Sequence, residues 1–347
     1  MKFSQTLAIL IASALLFFSV RFLSNSDGTG RVIDSTKLLM GSFVQIKVPI
    51  YGRVDERSGK KAIDKAFEEI ARLEALFSAF KEESELSKIN RMNANETFKP
   101  SAEVFDLIER AIEYNEKTKG AFDITVKPLV DLWARSKNEK KLPSHADIKK
   151  ELTRIGTRYI ILDKLNKSVS FNREGVKIDL GGAAQGYATD RAIKVLKENG
   201  IENALVNLGG DMYCMGRKSK DEPWNVGIQH PRNKNKLFFE VRLEDKAINT
   251  SGDYEKYFIL NGTRYSHIID PRTGYPVGGN VVSATIIDDD STRADMLATA
   301  LCVLGREGLG AVESIKGADA ILIIKDKGAL KIEMTRGLRE RYAVQEK

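Results

Sequence analysis

Gly181 and Gly186, in "DLGGAAQGYATDRA", have the spacing of the two glycines in a nucleotide-phosphate loop. Tyr187 and Ala188 stand where that loop carries Lys and then Ser or Thr. The dinucleotide fingerprint fails as well, because Ala183 takes its second glycine position. A glycine turn that opens a helix still offers backbone N–H groups to a phosphate without a lysine. A tight strand-to-helix turn, with glycine chosen for its backbone angles, accounts for the same letters. If phosphate does bind, a metal ion can supply the missing charge. Asp295 and Thr299, in "STRADMLATALCVLG", are candidate ligands, since four residues apart on a helix they share one face and present hard oxygens. The competing reading is local: Thr292 and Asp295 have the spacing of a capping box, and a helical Thr often bonds its own backbone.

Histidine occurs only at 145, 230 and 267. His145 begins a surface helix pattern and His230 sits in a "QHP" turn. His267, in "RYSHIIDPRTGYP", lies between strand residues and a polar turn with Asp270 and Arg272. A general base and a structural histidine both fit that context. No His/Cys zinc cluster and no Gly-x-Ser-x-Gly nucleophile elbow is present. In "GAFDITVKPLVDLW", Asp123 suits either a backbone cap or an acceptor for the N–H of a base or flavin ring. Cys214 and Cys302 are far apart and form no Cys-x-x-Cys pair. They read as packed thiols, with a single disulfide as the alternative in an oxidising compartment.

The elements that must position these groups follow from periodicity. "LLMGSFVQIKV" alternates as one strand. "SGKKAIDKAFEEIARLEALFSAF" places Ile63, Phe67, Ile70, Leu73 and Phe77 at helical spacing. "SAEVFDLIERAIEYNEKTKG" is a second helix, with Ser101 as cap, Glu103 in the first turn and Gly120 as stop. "SHADIKKELTRIG" repeats that grammar. "RYIILD", "SVSF" and "VKIDL" read as three short strands, and "NALVNLGGD" as the strand after the glycine-loop helix. Strands then dominate, in "WNVGIQ", "KLFFEVRL", "YFILNG", "YSHIID" and "VVSATIID". A helix from about Arg293 to Leu304 and the strands "ADAILIIK" and "ALKIEM" complete the set. Segregated helices and strands with short links argue for an α+β or mixed-sheet domain.

The 347 residues are 42% hydrophobic and 30% charged, enough for a substantial core and against extensive disorder. The net charge of +7 is spread along the chain without an arginine-rich arm, which argues against nucleic acid. Phe3 to Val20 carries no charge, and no small-x-small cleavage site or cysteine follows it. This stretch reads as an uncleaved signal anchor rather than a cleaved signal. Residues 1–30 are therefore expected to be anchor and flexible linker, and residues 31–347 one domain.

Together these stretches resemble the ApbE family, the FAD:protein FMN transferases formerly described as thiamine-biosynthesis lipoproteins. The likeness runs in order through "MGS" (40–42), "FSAFKEESELSKIN" (77–90), "GAFDITVKPLVDLW" (120–133) and "DLGGAAQGYATDRA". It continues through "NLGGD", "PWNVGIQHP", "TSGDYEKYF", "HIIDPRTG" and "ADMLATALCVLG". The resemblance implies a T-fold-like α+β domain with mixed or antiparallel sheets that binds FAD and Mg2+. It implies transfer of FMN to a Thr or Ser hydroxyl of a partner protein by a phosphodiester bond, with release of AMP. Expected acceptors are subunits of membrane redox complexes, such as sodium-pumping NADH:quinone reductase or Rnf-type systems. The expected location is the periplasm-facing side of the cell inner membrane.

Carried over by motif, Met40, Phe80, Ala121, Phe122, Asp123, Gly181, Tyr187 and Ile269 fall on FAD-contacting positions. The Ala184 carbonyl and the Asp295 and Thr299 side chains fall on the metal. His267 is the expected base, and Asp270 is expected to orient groups near it. Gln185 replaces a frequent lysine and Phe80 a frequent tyrosine. Two alternatives share this site: an Mg2+-dependent FAD pyrophosphatase, and a membrane-tethered FAD-binding protein.

Overall fold

β1 (Val32–Leu39) and β2 (Ser42–Pro49) pair antiparallel, from Val32 opposite Pro49 to Leu39 opposite Ser42. "LLMGSFVQIKV" is thus a hairpin and not the single strand its alternation suggests. Met40 and Gly41 both have positive φ, 51° and 70°, the backbone of a two-residue hairpin turn. No Asn-Gly or Asp-Gly pair announces the turn. Instead Glu74 Oε2 accepts the Met40 N–H at 2.9 Å and holds methionine in an unfavoured conformation. The computed structural model describes residues 31–347 except 234, 343 and 347. The anchor and linker expected over 1–30 lie outside the described residues, among which no helix is long and apolar enough to cross a membrane.

α1 (Glu56–Phe77) starts at a capping box between Asp55 and Ser58 and buries Ile63, Phe67, Ile70, Leu73 and Phe77, the stripe its spacing sets. α2 (Glu85–Ile89), β3 (Thr97–Phe98) and α3 (Ala102–Lys117) follow. Ser101 precedes α3 but makes no side-chain cap; its hydroxyl donates to Glu85 Oε2 at 2.8 Å and ties α3 to α2. α4 (Lys127–Glu139) was not legible as a helix, although Pro128 suits its first turn. α5 (His145–Leu152) is capped by Ser144 as expected.

β4 (Ile160–Asp163) and β5 (Ser168–Phe171) join β3 in a three-stranded sheet. The third expected strand, "VKIDL", is not one. The Asn90 side chain stands in for a partner strand, accepting from Ile178 N at 2.7 Å and donating to its carbonyl at 2.8 Å. That clamp delivers the chain to α6 (Ala184–Glu198).

The later half builds the main sheet from β6 (Ala204–Leu208), β7 (Asp211–Met215), β10 (Lys246–Gly252), β13 (Val281–Asp288), β14 (Asp319–Asp326) and β15 (Ala329–Met334). Between them lie β8 (Trp224–Gln229), β9 (Leu237–Leu243) and the hairpin β11 (Tyr257–Leu260) with β12 (Thr263–Ser266). α7 (Ser291–Leu304), α8 (Gly308–Glu313), α9 (Leu338–Arg341) and β16 (Val344–Glu346) complete the described elements. The eight strands run in the order β1-β2-β6-β7-β10-β13-β14-β15, each pair antiparallel.

Alternation along these strands sends side chains to two cores. Val206, Leu208, Ala284, Ile286, Leu322 and Ile324 pack toward α1, α6 and α7. Leu205, Met212, Ile248, Ile287 and Ile321 pack against Trp224, Val226 and Val241 of the β8–β9 pair. The architecture is α+β with antiparallel sheets. Cys214 lies in the second core and Cys302 in the first; both are free thiols, so the disulfide alternative is excluded. A third cluster joins Leu129, Trp133 and Ile148 to Ile269 and the β11–β12 hairpin. Trp133 stacks on Tyr265 at 5.5 Å, and its Nε1 donates to the Gly274 carbonyl at 2.9 Å.

Candidate active site

α7 carries Asp295 and Thr299, and its start is fixed by carboxylates rather than by the expected Thr292–Asp295 capping box. Asp290 is the N-cap, accepting from Arg293 N at 2.7 Å. Asp190, reaching over from α6, accepts from Ser291 N at 2.9 Å, Thr292 N at 2.8 Å and the Thr292 hydroxyl at 2.6 Å. Orphan donors of the first turn are thus satisfied from outside the helix. The expected box fails because the N-cap is Asp290, two residues before Thr292, which frees Asp295 to face α6.

The glycine loop meets Asp295 there. Gly186 N donates to Asp295 Oδ2 at 3.1 Å, and Gly181 N to Asp179 Oδ1 at 2.7 Å. A Cβ at Gly186 would stand 2.3 Å from the Ser291 carbonyl oxygen, and one at Gly182 would stand 3.0 Å from Thr299 Oγ1. These glycines let α6 and its loop lie directly on α7: the stretch is a tight turn, and it brings the Gly186 N–H to the Asp295 carboxyl.

Asp295 and Thr299 open into a cleft of about 360 Å³. Phe80, Ala121, Phe122, Asp123, Gly181, His267 and Ile269 line it with them. Phe80 is 95% exposed at the rim, leaving its ring faces free to stack. Asp211 and Glu255 also face this space. Burial, then the charges of Asp295 and Glu255, raise Asp211 well above the usual carboxylate range. Burial pushes Glu255 up to about 8, with Lys256 opposing and Asp295 adding to the shift. Asp295 is raised by burial, opposed by the Gly186 N–H and reinforced by Asp190.

Neighbouring carboxylates that resist ionising together are the environment a hard cation relieves. Among the described residues no three His, Cys, Asp or Glu side chains form a metal-holding group. Asp295 and Thr299 offer a carboxyl and a hydroxyl oxygen to the cleft, hard donors of the kind a hard cation takes. Thr299 Oγ1 lies 3.5 Å from Ser251 Oγ beside Asp295 on the same helix face.

His267 terminates the β11–β12 hairpin. The Lys256 carbonyl accepts both His267 N and His267 Nδ1 at 2.9 Å. A carbonyl only accepts, so Nδ1 carries the proton and Nε2 keeps its lone pair. The ring is open to solvent at the cleft but crowded by protein elsewhere. Burial, then the Lys256 charge, lowers its pKa to about 4. The imidazole is neutral at pH 7, so its Nε2 lone pair is open to a proton, as a weak base.

Four expected site residues stand outside the lining. Asp270 holds Arg272 through Nε and Nη2, both at 2.9 Å, and its carbonyl closes the turn to Gly274. Met40 occupies the β1–β2 turn, and Tyr187 packs edge-on against Phe77 at 5.5 Å. Ala184 is buried at the first position of α6. Asp123 caps the turn at Thr125, accepting its N–H at 2.7 Å and hydroxyl at 2.6 Å, while still lining the cleft. His145 contacts Tyr275, and His230 packs on Phe238, neither in the cleft.

Glu255, Lys256 and Asp190 carry no signal of their own in the sequence. The first two stand inside "TSGDYEKYF" and the third inside "GYATDRA", where no periodicity or spacing marks them off from surface charges.

The ApbE family model matches residues 40–322. An FAD:protein FMN transferase of Klebsiella pneumoniae is 33% identical over 299 residues, 86% of this chain and 90% of that protein. One of Vibrio cholerae is 32% identical over 296 residues, 84% of this chain and 87% of its own. The crystal structure of the ApbE protein from Thermotoga maritima superposes with a TM-score of 0.80 at 35% identity, covering 89% of this chain and 99% of its own. The flavin transferase ApbE structure from Vibrio cholerae gives 0.78 at 28% identity over 89% of this chain and 99% of its own. The chain belongs to the ApbE family.

Proposed function

We propose that this chain is an FAD:protein FMN transferase, which moves FMN from FAD to a Thr or Ser hydroxyl of an acceptor protein and releases AMP. The carrying observation is one cleft that sets a neutral, tautomer-fixed His267 in the same space as the Asp295–Thr299 pair. The names of the relatives support the same reading. His267 Nε2 takes the proton from the acceptor hydroxyl as its oxygen bonds to the FMN-side phosphorus. The bond from that phosphorus to the bridging oxygen breaks, and its electrons leave with AMP.

Asp295, Thr299 and the Ala184 carbonyl would hold Mg2+. When bound, the ion neutralises charge on the pyrophosphate and the leaving phosphate. Phe80, Phe122 and Ile269 supply apolar surface for the flavin, and Asp123 a polar edge. Chelation with EDTA should abolish AMP release, and Mg2+ should restore it. AMP release that persists after chelation would sink the metal assignment. Asp295→Ala should lose the metal response altogether.

For the acceptor, this reading points to subunits of membrane redox complexes, of the sodium-pumping NADH:quinone reductase or Rnf type. It also puts the domain on the periplasm-facing side of the inner membrane, tethered through residues 1–30. Protease added to spheroplasts should digest the domain; full protection would overturn the location.

A further inference from the structure

The glycine loop brings no cation to its ligand, and Gln185 within it is neutral and donates to Ser42 Oγ at 3.2 Å. Carboxyl groups crowd the cleft, and burial holds Asp211, Glu255 and Asp295 back from ionising together. Asp123, Asp179, Asp211, Glu255 and Asp295 line it, and Lys256 is the only lysine or arginine among its described lining residues. A pyrophosphate brought into that field needs positive charge from the walls as well as from a bound ion.

Lys256 is placed to supply it. Its backbone is fixed, because its carbonyl takes both hydrogen bonds from His267. Among the described residues no carboxylate forms an ion pair with its Nζ, whereas Arg232, Arg264 and Arg272 nearby in sequence are each paired with an aspartate. Its charge nevertheless reaches the cleft, opposing ionisation of His267 and favouring it at Asp211, Glu255 and Asp295.

We infer that Lys256 is a substrate-binding residue whose ammonium contacts the phosphate oxygens of the dinucleotide and does the work of the lysine missing from the glycine loop. The inference rests on the FAD reading proposed above and adds a residue to it. Because the His267 clamp uses only the backbone of Lys256, changing the side chain leaves the base in place.

The test is FAD titration of the full chain at fixed Mg2+, for wild type, Lys256→Gln and Lys256→Arg, with thermal melting of each. Loss of one charge-assisted contact should weaken FAD binding by roughly tenfold or more in Lys256→Gln, at an unchanged melting temperature. Arginine should restore affinity to within about threefold, since it keeps the charge. Equal FAD affinity in Lys256→Gln overturns the inference. So does a loss that arginine fails to rescue and that comes with a lowered melting temperature, which would mark a structural role. If lysine-dependent FAD binding is seen but no acceptor is labelled, the transferase reading fails and this one stands.

Discussion

Replacing Gly186 with alanine should force apart two helices that now touch. The added methyl would sit 2.3 Å from the Ser291 carbonyl oxygen, 2.8 Å from its carbon and 2.9 Å from Asp295 Cβ. Ordinary contact needs roughly 1 Å more, and two of these three atoms are backbone, so no side-chain rotation relieves the clash. Overpacking of this kind costs about 1–3 kcal/mol. Separation also stretches the Gly186 N–H bond to the buried Asp295 carboxyl, worth about 0.5–1.5 kcal/mol. Alanine returns at most about 1 kcal/mol through its better helix propensity. The net expectation is a loss of about 2 kcal/mol, with the melting temperature falling by no more than about 2–4 °C per kcal/mol.

Gly310 in α8 is the control, because it is exposed and a Cβ there meets nothing within 4 Å. Gly310→Ala should stabilise by about 0.5–1 kcal/mol. Urea denaturation of both variants, with AMP release measured alongside, decides the matter. A Gly186→Ala protein with wild-type stability and activity would refute the close-packed α6–α7 contact as the device that aims Asp295.

His267→Gln should lower transfer by about a hundredfold or more while FAD still binds. It should also change acid stability. A histidine with its folded pKa near 4 and its ordinary value at 6.5 binds fewer protons when folded, so it destabilises the fold as pH falls from 6.5 toward 4. The variant should lose less stability than wild type across that window in pH-dependent urea melts; parallel curves would count against a depressed His267. Arg293→Met removes the partner of fully buried Asp288, whose Oδ2 accepts from Arg293 Nε at 2.7 Å. It should cost about 3 kcal/mol in urea denaturation. Trp133→Phe loses the bond to the Gly274 carbonyl, worth about 1–2 kcal/mol. By loosening the support of the β11–β12 hairpin it should lower kcat more than it weakens FAD binding.

What could be read from the sequence was local and periodic. The apolar stripe of α1 and the shared face of Asp295 and Thr299 survive because helical spacing alone sets them. His267 was found because its turn is polar and histidine is scarce. What escaped depends on partners distant in the chain. Asp190 caps a helix that begins 101 residues later, at Ser291. Asn90 replaces a strand partner for Ile178 across 88 residues. Met40 turns left-handed with its N–H held by Glu74 on α1, 34 residues away. The capping-box spacing of Thr292 and Asp295 misled for the same reason, since the cap that wins is supplied by Asp290 together with Asp190. Asp270 is a carboxylate three residues from a histidine in sequence, and its side chain is held by Arg272, two residues on.

The measurement that reaches furthest is intact-mass analysis of a Thr-bearing acceptor domain after incubation with the full chain, FAD and Mg2+, read with chromatography of the released nucleotide. We expect the acceptor to gain one FMN in phosphodiester linkage for each AMP released, and both signals to vanish with Asp295→Ala. AMP and free FMN beside an unlabelled acceptor would instead make the protein a hydrolase of FAD. Unchanged FAD would leave a flavin-binding protein and contradict the transferase outright.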